Sequence, residues 1–199
     1  MARWKAMLVV LMLGMPLFAE NSTESILSQR ASLTLANIRN IIQTYNGTLS
    51  KKQISKLSKM IYFLSKSHRL DPLLVLAVIQ EESSFSVDAV SPKGALGLMQ
   101  IMPETGSILA RRLGIKTFEP EQLLNPYLNV RMGIYYLDYL RKRFRFKTLH
   151  YLSAYNMGPF RFSELLNEGY AFQYDYARKV LETHRGFQYH LVAISTDTW

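Results

Sequence analysis

The chain has 199 residues, a formal net charge of +9, 48% hydrophobic residues and no cysteine. This length suits one well-packed domain with an extension and is short for two large domains. Without cysteine, we expect no disulfide, no thiol nucleophile and no lipid-modified N-terminal cysteine. The positive charge favours an anionic partner through non-specific attraction, although a basic surface that only keeps the protein soluble explains it as well.

The first residues have the order of a secretory signal peptide. Arg3 and Lys5 give a basic start, an uncharged run follows over residues 6–18, and the small residue Ala19 precedes a polar string. We expect cleavage after Ala19, which removes two positive charges and leaves +7. The alternative is a membrane anchor, but a spanning helix needs roughly 20 apolar residues, more than this run provides. We therefore expect a protein exported to the periplasm or cell envelope, with neither nucleic-acid binding nor stable membrane insertion.

Two amphipathic helices are predicted next. In residues 24–45 the apolar positions recur at helical spacing and Asn46-Gly47 ends the pattern; these positions are Ile26, Leu27, Leu33, Leu35, Ile38, Ile41 and Ile42. The second helix is predicted over residues 51–67, with an inward face of Ile54, Leu57, Ile61, Phe63 and Leu64. Its other face carries Lys51, Lys52, Lys56 and Lys59, which we expect to be solvated.

Asp71-Pro72 predicts the start of a buried helix. The aspartate side chain can cap free backbone amides, and proline suits the first helical position because it has no amide hydrogen to leave unbonded. Residues 73–79 carry no charge, as expected for a helix inside a core, and the run reaches Glu81 and Glu82.

The rest of the chain also favours helices. Turn residues between positions 86 and 97 predict a loop. Further helices are predicted over residues 99–113 with an interruption at Pro103, over residues 127–144 after Asn125-Pro126, and from residue 149 to residue 156. No segment alternates with period two between hairpin turns, so the fold class is predicted to be mainly α.

Glu81 and Glu82 stand where a carboxyl group would retain its proton. Near the C-terminal end of an apolar helix, the helix dipole and partial burial both raise the pKa of a carboxyl group. An acid that stays protonated near neutral pH can protonate a leaving oxygen, as the acid of a glycosidase does. Spacing alone does not choose between the two residues, and most glutamate pairs at a helix end are solvated and inert.

Several motifs follow one another from Glu82 onward. They are Glu82-Ser83-Ser84-Phe85, residues 94–100 (Gly-Ala-Leu-Gly-Leu-Met-Gln), Pro103, Thr105, Asn125-Pro126, Asn129, Gly133, Tyr136-Leu137, residues 154–159 (Ala-Tyr-Asn-Met-Gly-Pro) and Tyr176. Together these blocks resemble the signature of the soluble lytic transglycosylases, family 1 of that group, over about residues 70–181. The resemblance implies a lysozyme-like helical catalytic domain, which we place at residues 67–190. It would follow a signal peptide at residues 1–19 and an N-terminal helical extension at residues 20–66.

The resemblance implies that Glu82, rather than Glu81, is the catalytic residue of a peptidoglycan lytic transglycosylase. Glu82 would protonate the oxygen between N-acetylmuramic acid and N-acetylglucosamine, and the substrate's acetamido group would support the positive charge. Glu82 would then act as base on the C6 hydroxyl, which closes a 1,6-anhydro ring without water. Ordinary glycosidases use a second carboxyl group; Asp88 and Glu104 are the nearest candidates, but neither lies at a catalytic position of the family.

Five further residues would bind or position the glycan strand by the same resemblance. Ser83 would stand beside the reacting sugar, and Gln100 would exchange hydrogen bonds with it. Met99 would form a wall of the groove. Tyr155 and Asn156 would hold Glu82 and the sugar in place. A sixth residue, Tyr176, would close the cleft.

Two alternatives to the transglycosylase stay open. A lysozyme-type muramidase on the same architecture would hydrolyse the same bond with water, and a wall-binding module could keep the fold without turnover. A pure binding module has no need of an acid in an apolar setting, which argues against the second. No cofactor and no metal are expected, because no phosphate loop is present and the histidines are scattered: His68, His150, His184 and His190.

Overall fold

The computed structural model describes the backbone of residues 17–196 and the side chains of residues 28, 29 and 31–189. Over this part of the chain there are eight α-helices: Leu17–Tyr45 (α1), Lys51–Ser67 (α2), Pro72–Ser83 (α3), Pro103–Arg112 (α4), Pro126–Arg143 (α5), Thr148–Met157 (α6), Pro159–Asn167 (α7) and Asp175–Thr196 (α8). A 3₁₀ helix at Pro120–Leu124 precedes α5. Strand pairing in the described residues is limited to isolated bridges, so the predicted mainly-α fold is confirmed.

The predicted signal peptide lies largely outside the described residues, since the structure gives nothing before residue 17. The predicted cleavage position after Ala19 falls within α1. None of the helices in the described range is long and apolar enough to cross a membrane.

Helix α3 runs through the centre of the molecule. Each residue from 73 to 79 is at most 7% exposed, and the helix packs against α1, α2 and α8. Asp71 caps the helix as predicted, because its side chain accepts a hydrogen bond from the Leu73 amide at 2.9 Å, and Pro72 occupies the first position. The buried run therefore fixes the direction of the helix and the place where its C-terminal end emerges.

Helices α1 and α2 contribute to the same hydrophobic core as the helices that follow them. Ile38, Ile41 and Ile42 of α1 are buried in the same cluster as the α3 residues, while Leu33 is 59% exposed. In α2 the predicted lysine face is exposed, but Phe63 is 63% exposed, so its predicted inward position is wrong. The boundary between extension and catalytic domain at residues 66 and 67 stays a prediction.

The end of α1 supports the turn that follows α3. Asn46 is 6% exposed and donates an amide hydrogen bond to the Phe85 carbonyl oxygen at 2.7 Å. The ring of Tyr45 stacks on the ring of Phe85 with centroids 5.6 Å apart. Ser84 and Phe85 both have left-handed backbone conformations, with φ of 49° and 62°. The turn after α3 is thus held by residues at the C-terminal end of α1.

Helix α4 begins four residues later than the sequence pattern predicts. Residues 99–102 form a turn in which Ile101 bridges to Leu96, and Gln100 has a φ of 47°. The physical reason is Pro103, which disfavours a helical conformation in the residue before it and suits the first helical position. Met102 accordingly has an extended backbone, with φ −69° and ψ 141°.

Candidate active site

Glu82 lies at the penultimate position of α3, where the buried helix reaches the surface. Burial raises the pKa of Glu82 to about 7; a hydrogen bond from Tyr176 lowers it and the charge of Glu81 raises it. At neutral pH the protonated and ionised forms of Glu82 are therefore both well populated. A group of this kind can donate a proton and take one back.

Two tyrosines approach Glu82 from other helices. Tyr176, in the first turn of α8, donates its hydroxyl to Glu82 Oε1 at 2.5 Å. Tyr155 of α6 is 8% exposed and donates its hydroxyl to the Met99 carbonyl oxygen at 2.8 Å. Burial first, and then the charge of Glu82, raises the pKa of both tyrosines well above the usual value. Both hydroxyl groups therefore stay neutral donors over the pH range in which Glu82 titrates.

Ser83 connects α3 to the loop before α4. Its hydroxyl lies 2.8 Å from the Leu98 carbonyl oxygen and 3.1 Å from that of Ile79. Because one hydroxyl donates one hydrogen, the shorter contact is favoured. Ser83 thus joins the helix of Glu82 to the loop, and its place beside a reacting sugar stays a prediction.

Gln100 lies in that loop with its amide nitrogen already engaged. Nε2 donates to the Gly97 carbonyl oxygen at 2.8 Å and to the Ala89 carbonyl oxygen at 3.1 Å. The amide oxygen is therefore the part of this partly exposed side chain that can accept a hydrogen bond from a ligand. Contact between Gln100 and a sugar stays a prediction.

Asn129 of α5 holds the loop that contains Gln100 through hydrogen bonds to its backbone. It is 0% exposed, and its Oδ1 accepts from the Met99 amide at 2.7 Å. Its Nδ2 donates to the carbonyl oxygens of Leu96 at 2.7 Å and Leu123 at 2.8 Å. Gly97 has a φ of 74°, and a Cβ there would lie 2.5 Å from Asn129 Nδ2. Only glycine suits both the conformation and the close approach at that position.

The predicted role of Met99 as a groove wall is wrong for its side chain. Met99 is 0% exposed and points into the core toward α5. Any Cβ at Gly133 would collide with the Met99 sulfur, so the absence of a side chain on Gly133 makes room for it. Met99 therefore supports the loop from inside, and its carbonyl oxygen accepts the Tyr155 hydrogen bond.

Asn156 follows Tyr155 at the end of α6, and its side chain is exposed. Tyr155 donates its hydroxyl to the Met99 carbonyl oxygen rather than to Glu82, and the roles of Tyr155 and Asn156 in holding Glu82 and the sugar stay predictions. Asp88 and Glu104 are exposed, and neither shares a hydrogen bond with Glu82 in the part of the chain that the structure describes. The neighbouring acid Glu81 instead accepts a hydrogen bond from the Thr183 hydroxyl at 2.6 Å.

Asn129, Gly133 and Thr183 support the site, although no role was predicted for them from the sequence. Asn129 and Gly133 stand inside the recognised blocks, which is the signal that could have found them. Thr183 has no such signal. Within the described ranges, no group of three or more histidine, cysteine, aspartate and glutamate side chains could hold a metal ion.

The model of the family described as the transglycosylase SLT domain matches residues 59–177, which is more than half of the chain. The chain belongs to this family. The matched part of the SLT domain includes Glu82, the loop with Gln100, and the tyrosines Tyr155 and Tyr176. The family membership predicted from the sequence blocks is therefore confirmed.

Known proteins resemble this SLT domain over part of their length. The soluble lytic murein transglycosylase of Escherichia coli K12 is 38% identical over 87 residues, which are 43% of this chain and 14% of that protein. The lytic transglycosylase Slt of Pseudomonas aeruginosa, solved as an inactive glutamate-to-glutamine mutant, is 30% identical with a TM-score of 0.52, covering 65% of this chain and 22% of that one. The 70 kDa soluble lytic transglycosylase of Escherichia coli is 24% identical with a TM-score of 0.63, covering 81% and 30%, and shows the fold alone. The chain thus spans less than a third of each of these relatives.

Replacement of Tyr176 by phenylalanine tests the hydrogen bond in the SLT site. The bond lowers the pKa of Glu82, so its loss should raise that pKa and move the alkaline limb of any activity profile to higher pH. We also expect kcat to fall roughly tenfold, the equivalent of one hydrogen bond of about 1.5 kcal/mol. Measurement of kcat against pH for both proteins checks the two effects. An alkaline limb that moves to lower pH would contradict the assigned bond.

Proposed function

We propose that this SLT domain is a peptidoglycan lytic transglycosylase. It cleaves the β-1,4 bond between N-acetylmuramic acid and N-acetylglucosamine and leaves a 1,6-anhydro ring on the muramic acid. The observation that carries the proposal is the single carboxyl group of Glu82, whose pKa of about 7 suits both proton donation and proton removal. In the described part of the chain, no second carboxyl group shares hydrogen bonds with it.

The reaction proceeds in two proton transfers through Glu82. The protonated carboxyl gives its hydrogen to the glycosidic oxygen as the bond from C1 to that oxygen breaks. The substrate's acetamido group supports the positive charge at C1. The Glu82 carboxylate then takes the proton from the C6 hydroxyl while the C6 oxygen bonds to C1, so Glu82 is regenerated and no water is consumed. Tyr176 holds Glu82 Oε1 in place during both transfers.

Catalysis should depend on pH through the first transfer. The form that starts the reaction is protonated Glu82, and the raised pKa keeps this form populated up to about pH 7. Activity is therefore expected to decline as the pH rises through about 7.

The glycan strand would lie against the loop and the two tyrosine-bearing helices. We propose that Ser83, Gln100, Tyr155 and Asn156 contact or position the sugars around Glu82. The Gln100 amide oxygen and the exposed Asn156 side chain supply hydrogen-bonding groups for hydroxyl and acetamido groups. The net charge, +9 for the whole chain and +7 after cleavage following Ala19, favours approach to an anionic wall.

Turnover of purified cell wall tests whether the domain is an enzyme. Labelled sacculi incubated with the protein should release soluble fragments continuously, in an amount that grows with time and enzyme concentration. A wall-binding module would sediment with the sacculi and release nothing. Binding without release would therefore refute the proposed function.

We also propose that the protein is exported, on the basis of the basic start, the apolar run over residues 6–18 and Ala19. Intact-mass measurement of protein recovered from the cell envelope should show a chain that begins at about Glu20. A chain of full length that is extracted only by detergent would instead support a membrane anchor.

A further inference from the structure

Helix α8 contacts two consecutive carboxyl groups of α3 with two of its own hydroxyl groups. Tyr176 donates to Glu82 Oε1 at 2.5 Å, and Thr183 donates to Glu81 Oε1 at 2.6 Å. Tyr176 and Thr183 are seven residues apart, about two helical turns, so they lie on the same face of α8. The Thr183 bond has no part in the proton transfers of the proposed function.

The Glu81 carboxylate is not confined by packing. It borders a cavity of about 270 Å³ whose other lining residues are Tyr45, Gln80, Thr183, Gly186 and Phe187. A Cβ at Gly186 would have no atom within 4 Å, which shows how open this side is. The carboxylate has room to rotate away from α8. Among the described residues, the hydrogen bond from the Thr183 hydroxyl keeps it in its present orientation.

We propose that Glu81 and Thr183 form a positioning pair, in which the threonine hydroxyl holds a negative charge beside Glu82 and so extends catalysis to higher pH. The inference rests on the proposed role of Glu82 as the acid. A fixed negative charge next to a carboxyl group disfavours its ionised form, and the distance between the two charges determines how strongly. The charge of Glu81 is among the causes that raise the pKa of Glu82, and it acts in the same direction on Tyr176.

The surroundings of both carboxyl groups support this arrangement. Glu82 faces Tyr176 from α8 and Tyr155 from α6, and both are neutral where Glu82 titrates, so Glu81 is the anion that acts on it. Around Glu81, the titratable group on the cavity wall is Tyr45 from α1, beside the uncharged side chains of Gln80, Thr183 and Phe187. The next residue along α8, His184, is bound to Asp71 through Nε2 at 2.7 Å and belongs to a different contact between α3 and α8.

Four variants of the whole chain separate charge from position. Glu81→Gln keeps an acceptor for Thr183 but removes the charge. Thr183→Val removes the hydroxyl but keeps the shape and the charge. Thr183→Ser keeps the hydroxyl. The matched control is His184→Ala, which breaks the neighbouring contact between the same two helices.

The readout is the alkaline limb of kcat/KM against pH on solubilised wall fragments. Glu81→Gln and Thr183→Val should both move this limb to lower pH, the first by on the order of half a pH unit and the second by less. Their combination should move it no further than Glu81→Gln alone, because Thr183 acts through Glu81. Thr183→Ser and His184→Ala should leave the limb in place. An unmoved limb in Glu81→Gln, or an equal movement in His184→Ala, would overturn the inference.

A second readout keeps this inference separate from the proposed function. Carbon NMR of labelled glutamate carboxyl groups follows the titration of Glu82 directly, without substrate. The Glu82 titration should move to lower pH in Glu81→Gln and stay unchanged in His184→Ala. If Glu82→Gln were fully active, the proposed function would fail while this titration still tested the pair. If Glu82→Gln were inactive and the titration did not respond to Glu81→Gln, only the pair would fail.

Discussion

Replacement of Glu82 by glutamine should lower the rate of wall cleavage by on the order of 10²–10⁴-fold, the usual contribution of a general acid and base. Glutamine has nearly the same shape and can still accept the Tyr176 hydrogen bond, but it can neither give nor take the proton. Circular dichroism and sedimentation with sacculi should therefore be unchanged. The rate of fragment release from sacculi at pH 6 measures the loss.

Glu81→Gln is the matched control for this experiment. Glu81 is the adjacent residue of the same helix. Its carboxylate accepts a hydrogen bond from Thr183, whereas that of Glu82 accepts one from Tyr176. At pH 6, below the pKa of Glu82, its loss should change the rate little. If Glu81→Gln were inactive and Glu82→Gln active, the catalytic assignment would be displaced by one residue.

Asn129→Ala should cause the largest loss of stability among single changes near the site. The change leaves two groups without their partner, namely the Met99 amide and the Leu123 carbonyl oxygen, whereas the Leu96 carbonyl oxygen keeps its hydrogen bond from the Ile101 amide. Each buried polar group left without a partner costs about 1–3 kcal/mol, so we expect a loss of roughly 3–5 kcal/mol in the free energy of unfolding. Thermal unfolding should then occur roughly 10 °C lower or more.

Asn125→Ala provides the comparison for Asn129 on the same helix. Asn125 is exposed and caps α5 by accepting from the Tyr127 and Leu128 amides at 3.0 and 3.2 Å. Loss of such a cap costs about 1 kcal/mol, and water can replace the lost partner. A decrease in melting temperature as large as that of Asn129→Ala would contradict the role given to the buried hydrogen bonds.

The helices that carry their own boundary signals could be predicted from the sequence. Helix α2 spans Lys51–Ser67 as predicted, with Ser50 and Gln53 forming a capping box at its start. Helix α3 begins at Asp71-Pro72 as predicted, because both signals are local. Helix α7 was not predicted, since Gly158-Pro159 indicates the end of a helix but the same proline also begins the next one.

The orientation of individual side chains was less predictable. Phe63 is 63% exposed because no neighbouring helix among the described residues covers it. The spacing of apolar residues in α2 does not reveal which of them a neighbouring helix covers. Met99 resembles a groove residue by its motif, yet its burial depends on Gly133, 34 residues further along, which leaves space for it. Local periodicity contains no information on such long-range packing.

The candidate site was predictable where the sequence blocks single out a residue. Burial at the end of an apolar helix indicated a raised pKa for either glutamate, and the family resemblance selected Glu82. The resemblance indicated Tyr176 as a residue that closes the cleft, but its hydrogen bond to Glu82, which joins residues 94 positions apart, was not predicted. Thr183 could not be found in either way, because a single threonine on an amphipathic helix has no distinctive pattern.

The chemical form of the released sugar tests the central proposal most directly. Muropeptides released from purified sacculi are treated with borohydride and analysed by mass spectrometry, because only a free reducing end gains hydrogen. If the C6 hydroxyl of the muramic acid captures C1, the products end in 1,6-anhydro-muramic acid, lack one water relative to hydrolysis products, and do not change mass on reduction. Products that are predominantly reducible would show that water attacks C1, which would contradict the transglycosylase and establish a muramidase on this fold.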